Sequence, residues 1–190
     1  PYEAQLDALE VVLCADTVTQ VLGMGPLQSV ADLERLLERY RTTLLEPIEL
    51  PAITRVNIQA LRGRSTELIT QDQSFAGMHP EWLLLMPAST RMGRDYLNRL
   101  RPLQDEKVIQ RLIEAVKCDR TPGHHLTVFG LTMAVFSIAR RQGLAEYAQF
   151  ALKAVASTAA GKLKITQEER DYLLSKSQAQ LPQSISRLVI

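Results

Sequence analysis

The stretch TPGHHLTVFGLTMAVFSIARRQG, residues 121–143, constrains the fold more than any other part of the sequence. Its segment Leu126–Ala139 is fourteen residues long, mostly apolar and free of charge. A membrane-spanning helix needs about 20 apolar residues, so this length favours a helix buried in a protein core. Small residues recur along the segment at helical spacing, and such a face lets a neighbouring backbone approach closely. These residues are Thr127, Gly130, Ala134 and Ser137.

Gly143 predicts a short turn that reverses the chain into an Ala-rich helix over residues 145–160. The second helix would pack antiparallel to the first and face its small residues. We therefore expect residues 122–160 to form a buried helical hairpin at the core of the fold. The side chains expected at the contact are Ala148, Ala151 and Val155.

Helical periodicity also dominates the rest of the chain. Apolar residues recur at three- and four-residue spacing over 30–44, and Ser29 with Asp32 predicts the cap of that helix. Thr166 and Glu169 form a T-x-x-E capping box for the last predicted helix. Residues 71–82, QDQSFAGMHPEW, predict a loop with a new helical start at Pro80.

No convincing alternation typical of a β-strand is present, so the sequence predicts an all-α protein of about eight helices. The chain of 190 residues is long enough for one substantial core, and we expect a single domain over 1–190. Two sub-lobes are expected within it, an N-terminal helical hairpin at 1–48 and a main helical body at 51–190.

Composition and charge are those of a globular chain, with 46% hydrophobic and 23% charged residues. The net charge is only +1, but residues 1–50 hold nine acids and three bases, whereas residues 51–190 hold twelve acids and nineteen bases. Two cysteines without a C-x-x-C spacing indicate a reducing compartment. We expect a cytoplasmic location. Because the chain begins at Pro1 without a signal sequence, we expect it to be the soluble part of a larger or membrane-associated protein.

The adjacent histidines His124 and His125 are weak candidates for a metal site. On a helix their side chains point about 100° apart and cannot easily bind one ion. Thr121 and Pro122 predict the cap and first residue of a helix, which places both histidines in its first turn. We therefore predict no metal and no cofactor, with a metal or acid–base role of the histidines as the alternative.

Motifs of catalysis are missing from the sequence. It contains no G-x-S-x-G turn, no Walker loop and no G-x-G-x-x-G fingerprint. We therefore predict that the protein is not an enzyme and name no catalytic residue.

Arginines on two predicted helices are the candidate binding residues. Arg91, Arg94 and Arg101 share one helical face, while Arg55 and Arg62 share another, with Arg64 close by. Together the two faces would form an electropositive groove for an acidic protein segment or for nucleic acid. The alternative is an ordinary solvated surface in which these arginines pair with Asp95 and Glu67.

The stretch from His125 through Ala139-Arg140 and Gly143 to Phe150 and Leu152-Lys153 resembles a segment of DotM-type subunits of type IV secretion coupling complexes. Those are cytoplasmic all-α domains that bind acidic protein signals on Arg-rich surfaces. The resemblance covers less than a sixth of the chain. The aromatic, proline-bearing motif that the family carries after Lys153 is replaced here by AVASTAAG, and no site residue is transferred.

The sequence therefore predicts a non-enzymatic protein–protein interaction module. It would serve as an adaptor, scaffold or regulatory subunit of a larger assembly of the secretion or conjugation type, with other protein subunits as partners. The alternative is a nucleic-acid-binding regulator that uses the same arginines, and an enzyme with a scattered site is the third hypothesis.

Overall fold

A computed structural model describes residues 1–103 and 105–189, and its regular elements are all helical, which confirms the all-α prediction. None of the helices described is long and apolar enough to cross a membrane. Short 3-10 helices lie at Ala8–Val11, Pro80–Leu85 and Arg101–Leu103. The α-helices are α1 (Tyr2–Asp7), α2 (Ala15–Val21), α3 (Val30–Tyr40), α4 (Leu50–Leu61), α5 (Ser65–Met78), α6 (Met86–Arg99), α7 (Lys107–Lys117), α8 (His125–Val135), α9 (Arg140–Ala160), α10 (Gln167–Gln178) and α11 (Leu181–Leu188).

The two predicted capping boxes are confirmed. At the start of α3 the Ser29 hydroxyl accepts the backbone N–H of Asp32, and the Asp32 carboxylate accepts the backbone N–H of Ser29. Thr166 and Glu169 make the same reciprocal pair of hydrogen bonds before α10. These bonds satisfy N–H groups that have no partner inside a helix, so they define where each helix begins.

Helices α3 and α4 are joined by a π-helical segment, Arg41–Glu49, into one uninterrupted helix. The wider turn accommodates Pro47, whose missing N–H would break the hydrogen bonding of an α-helix. Pro51 lies in the first turn of α4 and does not begin a separate half of the fold. The boundary expected between residues 48 and 51 thus falls within a helix, and the division into two sub-lobes stays a prediction.

Helix α8 lies at the centre of the fold, and every residue from His125 to Met133 is buried. Its small face packs against α4, because a Cβ atom added at Gly130 would lie 2.9 Å from the carbonyl oxygen of Ile53 and 2.9 Å from Cβ of Val56. The prediction that this face receives α9 is therefore wrong. Both α8 and α9 contribute to the core, as expected, but the helix that approaches Gly130 comes from the first third of the chain.

Two segments predicted to lack helix are helical. Helix α5 continues to Met78, so the loop prediction for residues 71–82 is wrong, although a helical start at Pro80 is confirmed. The C-terminal tail forms α11, and its side chains Leu181 and Ile185 are buried. In α5 the buried face includes a carboxylate, Asp72, which hides the apolar periodicity of that helix.

A pair of matched glycine substitutions tests the packing of α8. Gly130→Ala places a methyl group against the backbone of α4, and we expect the free energy of unfolding to fall by about 1–3 kcal/mol. Gly77→Ala, in the exposed last turn of α5, meets no atom within 4 Å. There we expect a gain of up to about 1 kcal/mol from helix propensity. Urea unfolding of both variants makes the comparison, and equal stabilisation at the two sites would contradict the close approach of α4.

Candidate functional site

The carboxylate of Asp72 is buried inside the fold and accepts four hydrogen bonds from one segment. Its Oδ2 accepts the hydroxyl of Thr121 at 2.6 Å and the backbone N–H of Gly123 at 2.6 Å. Its Oδ1 accepts the backbone N–H of His124 at 3.0 Å and the hydroxyl of Thr127 at 2.5 Å. Only 1% of Asp72 is exposed, so these four donors replace the water that the charge would otherwise require.

Asp72 thereby caps α8 from a different helix. A negative charge at the first turn of a helix is stabilised by the unpaired N–H groups and by the helix dipole. Thr121 was predicted to cap this helix, but its hydroxyl donates to Asp72 instead, and the helix begins at His125 rather than at Pro122. His124 is the residue before the helix, and only His125 lies in its first turn.

A second buried set of hydrogen bonds runs from Ser89 through His125 and Tyr147 to Glu49. The Tyr147 hydroxyl lies 3.0 Å from Glu49 Oε2 and donates to it. His125 Nε2, at 3.0 Å from the same hydroxyl oxygen, must then carry the proton and donate to Tyr147. His125 Nδ1 is left to accept the Ser89 hydroxyl at 2.8 Å. The imidazole is therefore neutral, and burial lowers its pKa from 6.5 to about 3.

Glu49, at the end of the π-helical segment, accepts two further hydrogen bonds. The Tyr40 hydroxyl donates to Oε2 at 2.8 Å, and Trp82 Nε1 donates to Oε1 at 3.1 Å. Burial raises the pKa of Glu49, and the three donors oppose that shift by stabilising the ionised form. Through this carboxyl group the π-helical segment is tied to the Pro80–Leu85 helix and to α9.

The two sets of hydrogen bonds are closed to solvent. The exposed fractions of Glu49, Asp72 and His125 are 0%, 1% and 1%. No group of three or more His, Cys, Asp or Glu side chains suited to a metal ion was found among the described residues. The arrangement holds five elements in a fixed geometry, which is a structural task.

The predicted binding arginines lie on two separate helices. Arg55 and Arg62 belong to α4 or its end, followed by Arg64, and all three are exposed. Arg91 and Arg101 are exposed and Arg94 is half-buried on or just after α6. Helix α4 packs along α8 around Gly130, whereas α6 packs against the start of α8.

Arg94 and Arg101 line clefts that do not include the arginines of α4. The Arg94 guanidinium donates through Nε to the carbonyl oxygen of Pro122 at 2.9 Å and lies 3.5 Å from the Asp119 carboxylate. The recorded ion pair of Arg94 is thus with Asp119 and not with Asp95. The structure separates the two sets that the sequence was expected to bring into one groove.

The fold and its closed polar centre define a helical protein whose accessible chemistry lies on its outer helices. Comparison with protein-family models matches the UreF family over residues 27–169, about three quarters of the chain. The chain belongs to the UreF family, which comprises urease accessory proteins of nickel insertion. No curated protein and no solved structure matches the chain.

Membership of the UreF family overturns the function predicted from the sequence. An adaptor of a secretion or conjugation assembly and a nucleic-acid-binding regulator are both wrong. The resemblance to DotM-type subunits rested on residues 125–153, whose small and apolar pattern is required by burial of α8 and α9. Unrelated proteins that bury a helix pair share such a pattern, so it indicated packing and not ancestry.

Sequence analysis missed the two carboxylates on which the buried centre depends. Asp72 stands between Leu68 and Phe75 at four- and three-residue spacing, and Glu49 stands four residues from Leu45 and from Ile53. An acid on an otherwise apolar helical face was the available signal, because a charge is buried only when it has partners.

The Asp72→Asn variant tests the cap of α8. An amide has the same shape, but its NH2 group would face two donors that cannot both turn away. We expect the free energy of unfolding to fall by about 3 kcal/mol, the cost of unsatisfied buried donors and a lost charge. Asp95→Asn, on the exposed face of α6, is the matched control and should change it by less than about 0.5 kcal/mol. Equal unfolding midpoints in urea would contradict the role of Asp72.

The neutral His125 predicts a dependence of stability on pH. Below pH 6.5 the unfolded histidine binds a proton that the folded one does not bind until about pH 3. The free energy of unfolding therefore falls as the pH falls through this range, by up to about 1.4 kcal/mol per unit. His125→Gln can still donate to Tyr147 but does not titrate, so its unfolding between pH 7 and pH 5 should depend less on pH than that of the wild type.

Glu49 provides a comparison of opposite sign. Its pKa is raised in the folded state, so its contribution to stability falls as the pH rises above the usual carboxyl value of 4.5. Glu49→Gln should remove this fall, whereas His125→Gln removes the loss on acidification. Identical pH profiles for the wild type and both variants would mean that neither group titrates differently on folding.

Proposed function

We propose that this protein is a non-catalytic accessory factor in the maturation of urease, which contacts other proteins while nickel is inserted into the enzyme. The observation that carries the proposal is the match to the UreF family over residues 27–169. Nickel is cargo in this process, and the part assigned to the chain is binding of protein partners. The predicted cytoplasmic location and the single domain over 1–190 belong to the same proposal.

Exposed apolar side chains support a role in protein contacts. Met78, Leu83 and Leu84 lie within seven residues of one another in sequence and are 51%, 60% and 54% exposed. Large apolar side chains that remain in water are typical of surfaces that bind other proteins. Leu61, 60% exposed, adds a further apolar group beside Arg62 at the end of α4.

The arginines of α4 and α6 are proposed as partner-binding residues of this accessory protein. Arginine forms planar, bidentate hydrogen bonds with carboxylates, so acidic segments of the partners are the expected ligands. The two sets lie on different helices and can contact different parts of an assembly. The residues concerned are Arg55, Arg62 and Arg64 in one set and Arg91, Arg94 and Arg101 in the other.

Reconstitution of urease maturation tests the proposal. The structural subunits of urease and the remaining accessory proteins are co-expressed in a host without urease, with and without this protein. We expect both the nickel content of purified urease and its activity to drop to a small fraction when the protein is omitted. The Asp95→Asn variant, which alters one exposed side chain, should restore both. Equal nickel loading in its absence would overturn the proposed function.

A further inference from the structure

A groove lined by basic side chains lies between α6, α7 and the turn at residues 118–122. It consists of two adjoining clefts, of about 500 Å³ and about 260 Å³, which share Arg94 and Asp119. We call this feature the basic groove. Its cationic residues are Arg94, Arg101, Lys117 and Arg120.

The charge of the basic groove is unbalanced. Four cations face one acid, Asp119, whose side chain is 86% exposed and lies 3.5 Å from the Arg94 guanidinium. Such an exposed pair contributes little and is easily exchanged for another carboxylate. The nearby acids Asp95 and Glu114 are exposed but do not line either cleft. The groove therefore has a net attraction for negative charge.

The wall of the basic groove is held rigidly. A Cβ atom added at Gly93 would lie 2.0 Å from the carbonyl oxygen of Gly123, so α6 meets residues 123–125 backbone to backbone. The four hydrogen bonds of Asp72 fix the same segment from the inside. Because Arg94 donates to Pro122 in this segment, its guanidinium is already oriented. Prior orientation reduces the entropy lost when a partner binds.

The floor of the basic groove is apolar. Leu97, Ile113 and Val116 line the smaller cleft, and Asn98 and Gln73 add amide groups along the two clefts. Cations above an apolar floor suit the carboxylates and aliphatic stems of glutamate-rich polypeptide. None of the residues lining the two clefts is aromatic, so the groove lacks the stacking surface that unpaired bases require.

We propose that the basic groove docks an acidic peptide segment of a partner protein. The identity of that partner as a urease subunit or a second accessory protein rests on the proposed function, whereas the chemistry of docking rests on the groove alone. Carboxylates of the segment replace Asp119 at Arg94 and extend along the groove to Arg101 and Lys117 on one side and Arg120 on the other.

Charge reversal with a matched control tests the docking. The groove variant is Arg101→Glu/Lys117→Glu, and the control is Arg141→Glu/Lys153→Glu, which changes one exposed Arg and one exposed Lys on α9. The probe is a fluorescein-labelled oligoglutamate peptide, followed by fluorescence anisotropy at low salt. We expect the groove variant to bind it roughly tenfold more weakly than the wild type, and the control within about twofold. Urea unfolding of both variants establishes that they remain folded.

Several outcomes would overturn the docking proposal. They are an absence of peptide binding by the wild type, an equal loss in both double variants, and complete competition by inorganic phosphate at a matched concentration of charge. Phosphate competition of that kind would show a site for small anions, since an extended segment contacts several cations at once and is displaced less easily.

Reconstituted maturation separates a failure of the groove from a failure of the proposed function. The groove variant should retain less of the co-expressed urease and accessory proteins and load less nickel into urease, while the control matches the wild type. Full loading by the groove variant would overturn docking of the partner and leave the proposed function intact. If the wild type does not promote loading but binds the peptide through the groove, the proposed function fails and the docking chemistry stands.

Discussion

The carboxylate of Asp72 is the interaction on which the rest of the structure depends. Its four hydrogen bonds set the conformation of residues 121–127, and this segment determines where α8 starts. Helix α8 is buried and receives α4 on its small face and α6 at its beginning. The outer wall that contains Arg94 rests on the same segment through Pro122. One buried charge therefore connects the core with the surface proposed to bind a partner.

Glu49 is a second buried carboxyl group with a different set of partners. Its donors are two tyrosine hydroxyls and an indole, and Tyr147 links it to His125. The adjacent histidines thus have separate roles, because the backbone of His124 donates to Asp72 whereas the side chain of His125 belongs to the chain of bonds that ends at Glu49. Polar groups satisfied in this way specify one arrangement of helices, since any other would leave them without partners.

Local signals predicted the helices but not their buried polar contacts. The capping boxes at Ser29 and Thr166 act within four residues, so the sequence shows them directly. Asp72 caps a helix about fifty residues away, and its presence on the buried face made α5 look like a loop. The partner of Gly130 was mispredicted for a similar reason, since a small-residue face shows that a backbone approaches but not which one. The arginine surfaces were visible as residues, yet the family to which they belong carries no short motif that physical reasoning could recognise.

The hydrogen bonds of the buried centre join residues that are far apart in sequence, with 55 residues between Asp72 and Thr127 and 98 between Glu49 and Tyr147. Contacts of such long range form only after the chain has paid the entropy of closing large loops, which slows folding. During synthesis the two carboxylates must stay hydrated until α8 and α9 have left the ribosome. The amino-terminal helices therefore cannot complete their core as an early unit, and the native centre of the protein assembles in a late, cooperative step.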